Sequence, residues 1–270
     1  MTKTETADAL AVLRAHIRAV GSAVLAFSGG VDSTLVAAVA HEQLGERFLA
    51  VTVESELYPR WQSEDAARLA ARIGFRHETI RTSELSIDNF AENPSNRCYY
   101  CKQELFGHMR RIADREGFAA VLDGTNADDL RDHRPGLAAA SELGVVSPLR
   151  ECGLGKEAVR AISASLGLPT SSKPSFACLA SRFPYGLRIT KERLQRVARA
   201  EEFLLGLGLK QFRVRYHETI ARIEVLPEDM PALMKPSTRS RLVETFKKIG
   251  FTYVTLDLAG FRSGSMNEVL

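Results

Sequence analysis

Ala26-Phe27-Ser28-Gly29-Gly30-Val31-Asp32-Ser33 is the stretch that decides the fold. The apolar run 23–27 leading into it reads as a buried strand, and residues 33–43 behind it read as a helix. Two glycines between them let the backbone turn tightly and approach a ligand closely. The N–H groups of a helix start point outward, where the helix dipole favours an anion. Ser28 and Ser33 add hydroxyl donors, and Asp32 is placed either to hold Mg²⁺ or to cap the helix. The stretch therefore reads as a phosphate loop. It is not of the Walker type, because the Gly-Lys-Ser/Thr ending is missing.

Outward from the loop, short apolar runs alternate with helical stretches. Residues 48–53 and 76–79 read as strands, 61–73 and 101–117 as helices, and 119–123 as a further strand. That rhythm predicts a parallel sheet covered by helices. Asp123-Gly124-Thr125-Asn126-Ala127-Asp128-Asp129 follows a strand, where open α/β sheets place ligand loops. Gly124, Thr125 and Asn126 are therefore candidate nucleotide contacts. Pro148-Leu149-Arg150 and Lys156-Glu157-Ala158-Val159-Arg160 come next. Pro169, Ser171, Ser172, Pro174 and Ser175 mark a linker or a long functional loop. A helix over 191–207 carries Leu194, Val197, Ala198 and Phe203. Alternating runs follow at 211–216 and 220–225, then a helix at 237–248 and a strand at 252–258. The expected organisation is an α/β domain over 1–184 and a smaller α+β domain over 185–270.

Composition sets the outer limits. In 270 residues, 45% apolar and 26% charged describe an ordinary globular chain and exclude disordered, collagen-like and disulfide-scaffold classes. The net charge of +3 suits an anionic small molecule as well as RNA. No apolar run approaches the roughly 18 residues of a membrane span. The N-terminus, with Lys3, Glu5, Asp8, Arg14 and Arg18 among apolar residues, reads as an amphipathic helix rather than a secretory signal, so a cytoplasmic setting is expected.

Four cysteines, two of them in Arg97-Cys98-Tyr99-Tyr100-Cys101-Lys102, point to metal or redox chemistry more than to structural disulfides. Thiols at a helix start beside Arg97 and Lys102 are expected to ionise more readily than usual. Cys178 sits far away in sequence, and Cys152 stands apart between glycines. Four readings stay open. Cys98, Cys101 and Cys178 hold a 4Fe-4S cluster with one open iron. Cys98 and Cys101 form a redox pair. Zinc is bound with His108 or His133 as the fourth ligand. Or the thiols are simply buried.

The phosphate loop resembles that of the PP-loop ATP pyrophosphatases, the adenine nucleotide alpha hydrolase-like enzymes that split ATP between its α- and β-phosphates. With Asp123-Gly124-Thr125-Asn126, His133-Arg134-Pro135-Gly136, Ser181-Arg182-Phe183-Pro184-Tyr185-Gly186 and the closing Tyr253-Val254-Thr255-Leu256-Asp257-Leu258 and Gly260-Phe261-Arg262-Ser263-Gly264-Ser265-Met266-Asn267, the resemblance becomes specific to the LarE family. These are ATP-dependent sulfur transferases that help to build the nickel-pincer nucleotide cofactor of lactate racemase.

The resemblance implies a pyridinium dicarboxylate mononucleotide as substrate, activation of a carboxylate as an acyl-adenylate with Mg²⁺, and replacement of oxygen by sulfur. It implies that Ser28, Gly29, Gly30, Asp32 and Ser33 bind ATP and that the end of the second strand, around Val53, holds adenine through backbone groups. Cys178, Asp32, Ser181 and Arg182 are the implied catalytic residues. The cysteine set resembles the branch in which three thiolates hold a 4Fe-4S cluster carrying the transferable sulfide. In another branch one cysteine, here Cys178, gives up its own sulfur. A homo-oligomer and a sulfide-supplying partner are also implied.

Arg213 and Arg215, two apart and so on one face of a strand, suit the substrate phosphate, as does Arg182. The plainer reading of each is a solvated charged face. Glu201 and Glu224 read either as metal or substrate groups or as exposed carboxylates. Trp61 reads as packing more than as a stacking platform, and His217 as structural more than as a phosphate donor.

A PP-loop tRNA thiolase is the competing enzyme. The small net charge and the absence of a dense Lys/Arg tract count against it, because RNA binding leans on many phosphate contacts. A non-enzymatic nucleotide-binding or electron-transfer partner is the third reading, and the intact Ser-Gly-Gly-x-Asp-Ser argues against that.

Overall fold

Residues 1–131 and 135–262 are described in a computed structural model of the chain, and the backbone alone is described at 130 and 131. The chain forms two compact units. One comprises Met1–Glu84 and Asn96–Phe176, the other Leu85–Ser95 and Ala177–Leu270.

In the first unit, α1 (Lys3–Val20) starts on a capping box, with the Glu5 N–H donating to Thr2 Oγ1 and the Thr2 N–H donating to Glu5 Oε2. Then come β1 (Ala23–Ala26), α2 (Val31–Leu44), β2 (Phe48–Glu54), α3 (Arg60–Ile73), β3 (His77–Arg81), α4 (Arg97–Glu116) and β4 (Ala120–Leu122). Three short helices close the unit: α5 (Gly136–Glu142), α6 (Pro148–Glu151) and α7 (Lys156–Ser165). The four strands run parallel in the order β3-β2-β1-β4. This is the predicted helix-covered parallel sheet.

Strands β1, β2 and β4 are buried on both faces for most of their length, β3 is the partly exposed edge, and the alternation sorts the core. Ala23, Leu25 and Phe27 join Leu13, Ile17, Leu35, Ala66 and Ile162 in one cluster, while Val24 joins Leu49, Val51, Phe106, Met109 and Val121 in another. Each fully buried leucine of this kind stabilises the unit by about 1.5–3 kcal/mol. The chain moves outward from β1 to β2 to β3 and then returns to the other side of β1 for β4. The order reverses between β1 and β4, and the crevice beyond the strand ends at such a point is where α/β sheets take ligands.

In the second unit, α8 (Lys191–Gly206) is capped by Thr190. β5 (Phe212–His217) pairs antiparallel with β6 (Ile220–Val225) through a two-residue turn, with Glu218 at φ +53°. After α9 (Met230–Met234) and α10 (Pro236–Ile249), β7 (Tyr253–Leu256) lies parallel to β6. Leu194, Val197, Leu204, Phe212, Val214, Tyr216, Phe246 and Phe251 are among its buried apolar residues. The segment 85–95 also belongs to this unit. The Ile189 N–H donates to Ala91 O at 2.7 Å, the Gly186 N–H to Asn93 O at 2.9 Å, and the Asn93 amide to Pro184 O at 2.6 Å. Among the described residues no helix is long and apolar enough to cross a membrane.

Candidate functional site

The loop between β1 and α2 is built around its hydroxyls. Ser28 Oγ and Ser33 Oγ lie 3.1 Å apart, and the Gly30 N–H faces Ser28 Oγ. Gly29 sits at φ +67°, and a Cβ there would come within 3.2 Å of Ala66 on α3, so only glycine fits. Gly30, not Asp32, occupies the N-cap of α2.

The loop after β4 meets this helix start. Asp123 is buried and takes the Thr125 N–H and hydroxyl on its two oxygens. Gly124 lies so close that a Cβ would fall 2.9 Å from Ser33 N. The space beside the α2 N-terminus is thus kept open by a missing side chain, as an anion cradle requires.

Asp32 is bound on both oxygens. Asn126 donates to Oδ1 at 3.2 Å, and Lys156 Nζ reaches Oδ2 at 2.5 Å. Asp128 in turn accepts the Lys156 N–H at 2.7 Å. A magnesium ion at Asp32 would have to share an oxygen already bound by Asn126 or Lys156. Of the two roles open to Asp32, the helix cap is not the one seen, because its carboxylate is engaged in this network and Gly30 is the N-cap. Lys156, Lys173, Asp65 and Asp128 add to the expected site residues. Lys156 has a sequence signal, its place in the Lys-x-x-Val-Arg motif, whereas Lys173 and Asp65 have none. Val53 is half-buried near the end of β2.

His77 supports the loop from below. Thr52 Oγ1 donates to Phe27 O at 2.9 Å, which leaves its lone pairs to accept from His77 Nε2 at 2.8 Å. Burial holds the His77 pKa below its ordinary 6.5. Trp61 is half-buried with its ring edge-on to Phe176 at 5.3 Å, a packing role as expected.

The second unit buries a set of charges. Arg182 is fully buried, and its Nε and Nη2 grip Glu201 at 2.7 and 2.9 Å. Its Nη1 donates to Ala177 O, Cys178 O and Ser181 Oγ. Arg215 grips Glu224 at 2.9 and 2.8 Å and donates to Ser181 O at 2.8 Å. Two arginines therefore lock the backbone of the 177–182 turn that carries Cys178, whose own carbonyl also accepts from the Ser181 N–H and hydroxyl. Arg213 is buried as well, its guanidinium 4.9 Å from the Phe261 ring centroid. Burial first, then the Arg182 cation, pushes its pKa down to about 9. A buried guanidinium in that setting favours an anion beside it.

The solvated-face reading of Arg213 and Arg215 fails, because both are buried. The exposed-carboxylate reading of Glu201 and Glu224 fails for the same reason. His217 is half-buried, and its Nε2 has no hydrogen-bond partner among the described residues. Burial, then Arg222 and Arg215, lowers its pKa.

Cys98 is exposed and Cys101 half-buried, three residues apart at the start of α4. Cys178 is a half-buried thiol in the second unit. Among the described residues no group of three or more His, Cys, Asp or Glu side chains is gathered to hold a metal ion, so no complete ligand set for a cluster is assembled there. His108 is committed to Glu104 at 2.8 Å and Arg111 at 2.9 Å, which removes it as a zinc ligand in this arrangement. His133, Arg134 and residues 263–267 lie outside the described residues.

The asparagine synthase family profile matches residues 10–137. An uncharacterised protein of the cyanobacterium Synechocystis is 48% identical, over 96% of both chains. The pyridinium-3,5-bisthiocarboxylic acid mononucleotide synthase of Lactiplantibacillus plantarum is 40% identical, over 96% of this chain and 94% of its own. An uncharacterised protein of Methanocaldococcus jannaschii is 29% identical, over 89% of this chain and 90% of its own. A phosphate loop at the sheet's reversal point and a whole-length likeness to the Lactiplantibacillus synthase lead to one conclusion: the chain belongs to the LarE family of ATP-using sulfur transferases of the PP-loop class.

Proposed function

We propose that the protein converts carboxylates of a pyridinium dicarboxylate mononucleotide to thiocarboxylates at the expense of ATP. The whole-length likeness to the pyridinium-3,5-bisthiocarboxylic acid mononucleotide synthase carries this reading. A substrate carboxylate oxygen attacks the α-phosphorus, and pyrophosphate leaves. A sulfur nucleophile then attacks the acyl carbon, and AMP leaves. The α2 N-terminus, the Ser28 and Ser33 hydroxyls and Lys156 offset the negative charge that builds on phosphate. Magnesium, when bound with the phosphates of ATP, would neutralise part of their charge. Backbone groups near Val53 receive the adenine. Arg213, with Arg215 beside it, takes the substrate phosphate, while Ser181 and Arg182 hold the turn that presents Cys178.

The sulfur source is proposed to be a 4Fe-4S cluster on Cys98, Cys101 and Cys178, which when bound would supply an exchangeable sulfide. The i, i+3 pair on α4 supports it, with Cys178 as the third thiol. The second reading is a sacrificial Cys178. Its thiolate displaces AMP to give a thioester, and loss of the Cys178 α-proton with cleavage of its C–S bond leaves dehydroalanine and the thiocarboxylate.

Pyrophosphate release that depends on the dicarboxylate nucleotide tests the reaction. Iron and acid-labile sulfide on anaerobically prepared protein test the sulfur source. About four irons per chain, lost on mutating any one of the three cysteines, supports the cluster. No iron after reconstitution, with loss of H₂S from the intact mass after one turnover, supports the sacrificial route. Tight, salt-sensitive tRNA binding would instead favour the thiolase reading.

A further inference from the structure

Lys173 is a partly buried cation with an unusual partner. Its Nζ donates to Gly29 O at 2.7 Å and pairs with Asp65 on α3 at 2.5 Å. The backbone that carries it is held in place, because Arg160 donates to Ser171 O at 2.7 Å and to Lys173 O at 2.9 Å. The next residue on α3, Ala66, is the one that crowds Gly29. One turn of α3 and one lysine thus bracket the first glycine of the phosphate loop.

A trans peptide points its C=O and N–H in opposite directions. Holding the Gly29 carbonyl outward therefore turns the Gly30 N–H inward, toward the Ser28 and Ser33 hydroxyls where phosphate would lie. Between two glycines this peptide has no side chain to resist a flip. Flipped, it would present a carbonyl oxygen to an anion. We infer that Lys173, anchored by Asp65, is a positioning residue that fixes the Gly29–Gly30 peptide in its anion-binding orientation. It acts on ATP through the peptide and not by touching phosphate.

A flip would carry Gly30 from φ −77° to a positive φ, which alanine resists. Gly30→Ala should therefore substitute for the lysine. Its Cβ would meet a single neighbour, Ser28 Oγ at 3.3 Å, and that side chain can yield. The inference rests on ATP binding at this loop. Calorimetry on the full chain with ATP·Mg²⁺, and separately with pyrophosphate, separates the two claims. If the wild type fails to bind either probe, the nucleotide site is misplaced.

Given binding, Lys173→Met should weaken both probes by about tenfold or more, as for loss of a charge-assisted hydrogen bond, with little change in unfolding midpoint. Lys173→Arg should keep most of the affinity. In a Gly30→Ala background the further loss on adding Lys173→Met should nearly vanish. Unchanged binding by Lys173→Met overturns the inference. So does an undiminished loss in the Gly30→Ala background, which would make Lys173 a direct phosphate ligand. If Gly30→Ala alone abolishes binding, a Lys173→Met structure decides: Gly29 O turned into the loop supports the inference, and Gly29 O unmoved overturns it.

Discussion

Lys156 Nζ lies 2.5 Å from Asp32 Oδ2, so the phosphate loop carries its own cation and counter-ion before any nucleotide arrives. The pair is only partly buried. Asn126 holds the other carboxylate oxygen, which keeps Asp32 aimed across the loop instead of down onto α2.

Asp32→Ala should therefore separate binding from turnover. Freed Lys156 still attracts the phosphates, so ATP affinity is retained or rises. Pyrophosphate release should fall by about a hundredfold, the scale of removing one preorganised group from a phosphoryl-transfer site. Unchanged pyrophosphate release would refute a role for Asp32 in the cradle.

Gly124→Ala tests the open space at the α2 N-terminus. The new methyl would lie 2.9 Å from Ser33 N. Affinity for ATP should drop by more than about tenfold, because the anion must share that space with carbon. Circular dichroism should still report the wild-type helix content. Wild-type affinity would place the phosphates elsewhere.

Glu224→Gln leaves Arg215, and also Arg222 at 3.2 Å, without the charge that compensates them. Breaking a buried pair in this way costs about 3–5 kcal/mol. Chemical denaturation should show a loss of that size in the second unit. Phosphate affinity at Arg213 should fall with it, since the 177–182 turn is held through Arg215. A loss below about 1 kcal/mol would mean that the pair is solvated, as surface pairs are.

Acid should destabilise the fold from about neutral pH downward. His77 and His217 both have folded pKa values below the ordinary 6.5, so the unfolded chain takes up those protons first. Stability is fully present above 6.5 and falls as pH drops below it, until the folded-state values are reached. His77→Gln and His217→Gln should each flatten this slope in denaturation measured between about pH 7 and 5. An unaltered slope in both variants would contradict the assignment.

The strand–loop–helix unit was legible because all its signals are local. A β-run, two glycines and a helix start lie within a dozen residues, and β1 and α2 fall within two residues of the expected limits. The order β3-β2-β1-β4 followed from the alternation only as far as a parallel sheet. What stayed hidden depends on distance along the chain. Lys173 meets Asp65 across 108 residues and Gly29 across 144, and no local pattern encodes either. Segment 85–95 reads in sequence as part of the first unit, yet Asn93 is fixed by residues about ninety positions later. Arg213 and Arg215 alternate with Phe212, Val214 and Tyr216, a pattern that reads as one wet face. The second face is dry because Glu224 meets Arg215 from the paired strand, while Glu201 from α8 takes Arg182 of the 177–182 turn and the Val214 N–H. The helices α5, α6 and α7 are short, and their apolar residues read as motif and loop instead of as helix faces.

The most direct test is a single anaerobic incubation with ATP, Mg²⁺ and pyridinium dicarboxylate mononucleotide, with the nucleotide product weighed by mass spectrometry and AMP and pyrophosphate counted. The account predicts product in which sulfur replaces carboxylate oxygen, with one AMP and one pyrophosphate formed per sulfur. Cys178→Ala should keep substrate-dependent pyrophosphate release and make no thiocarboxylate. Pyrophosphate released by the wild type with no sulfur in the product, or full thiocarboxylate yield from Cys178→Ala, would contradict it.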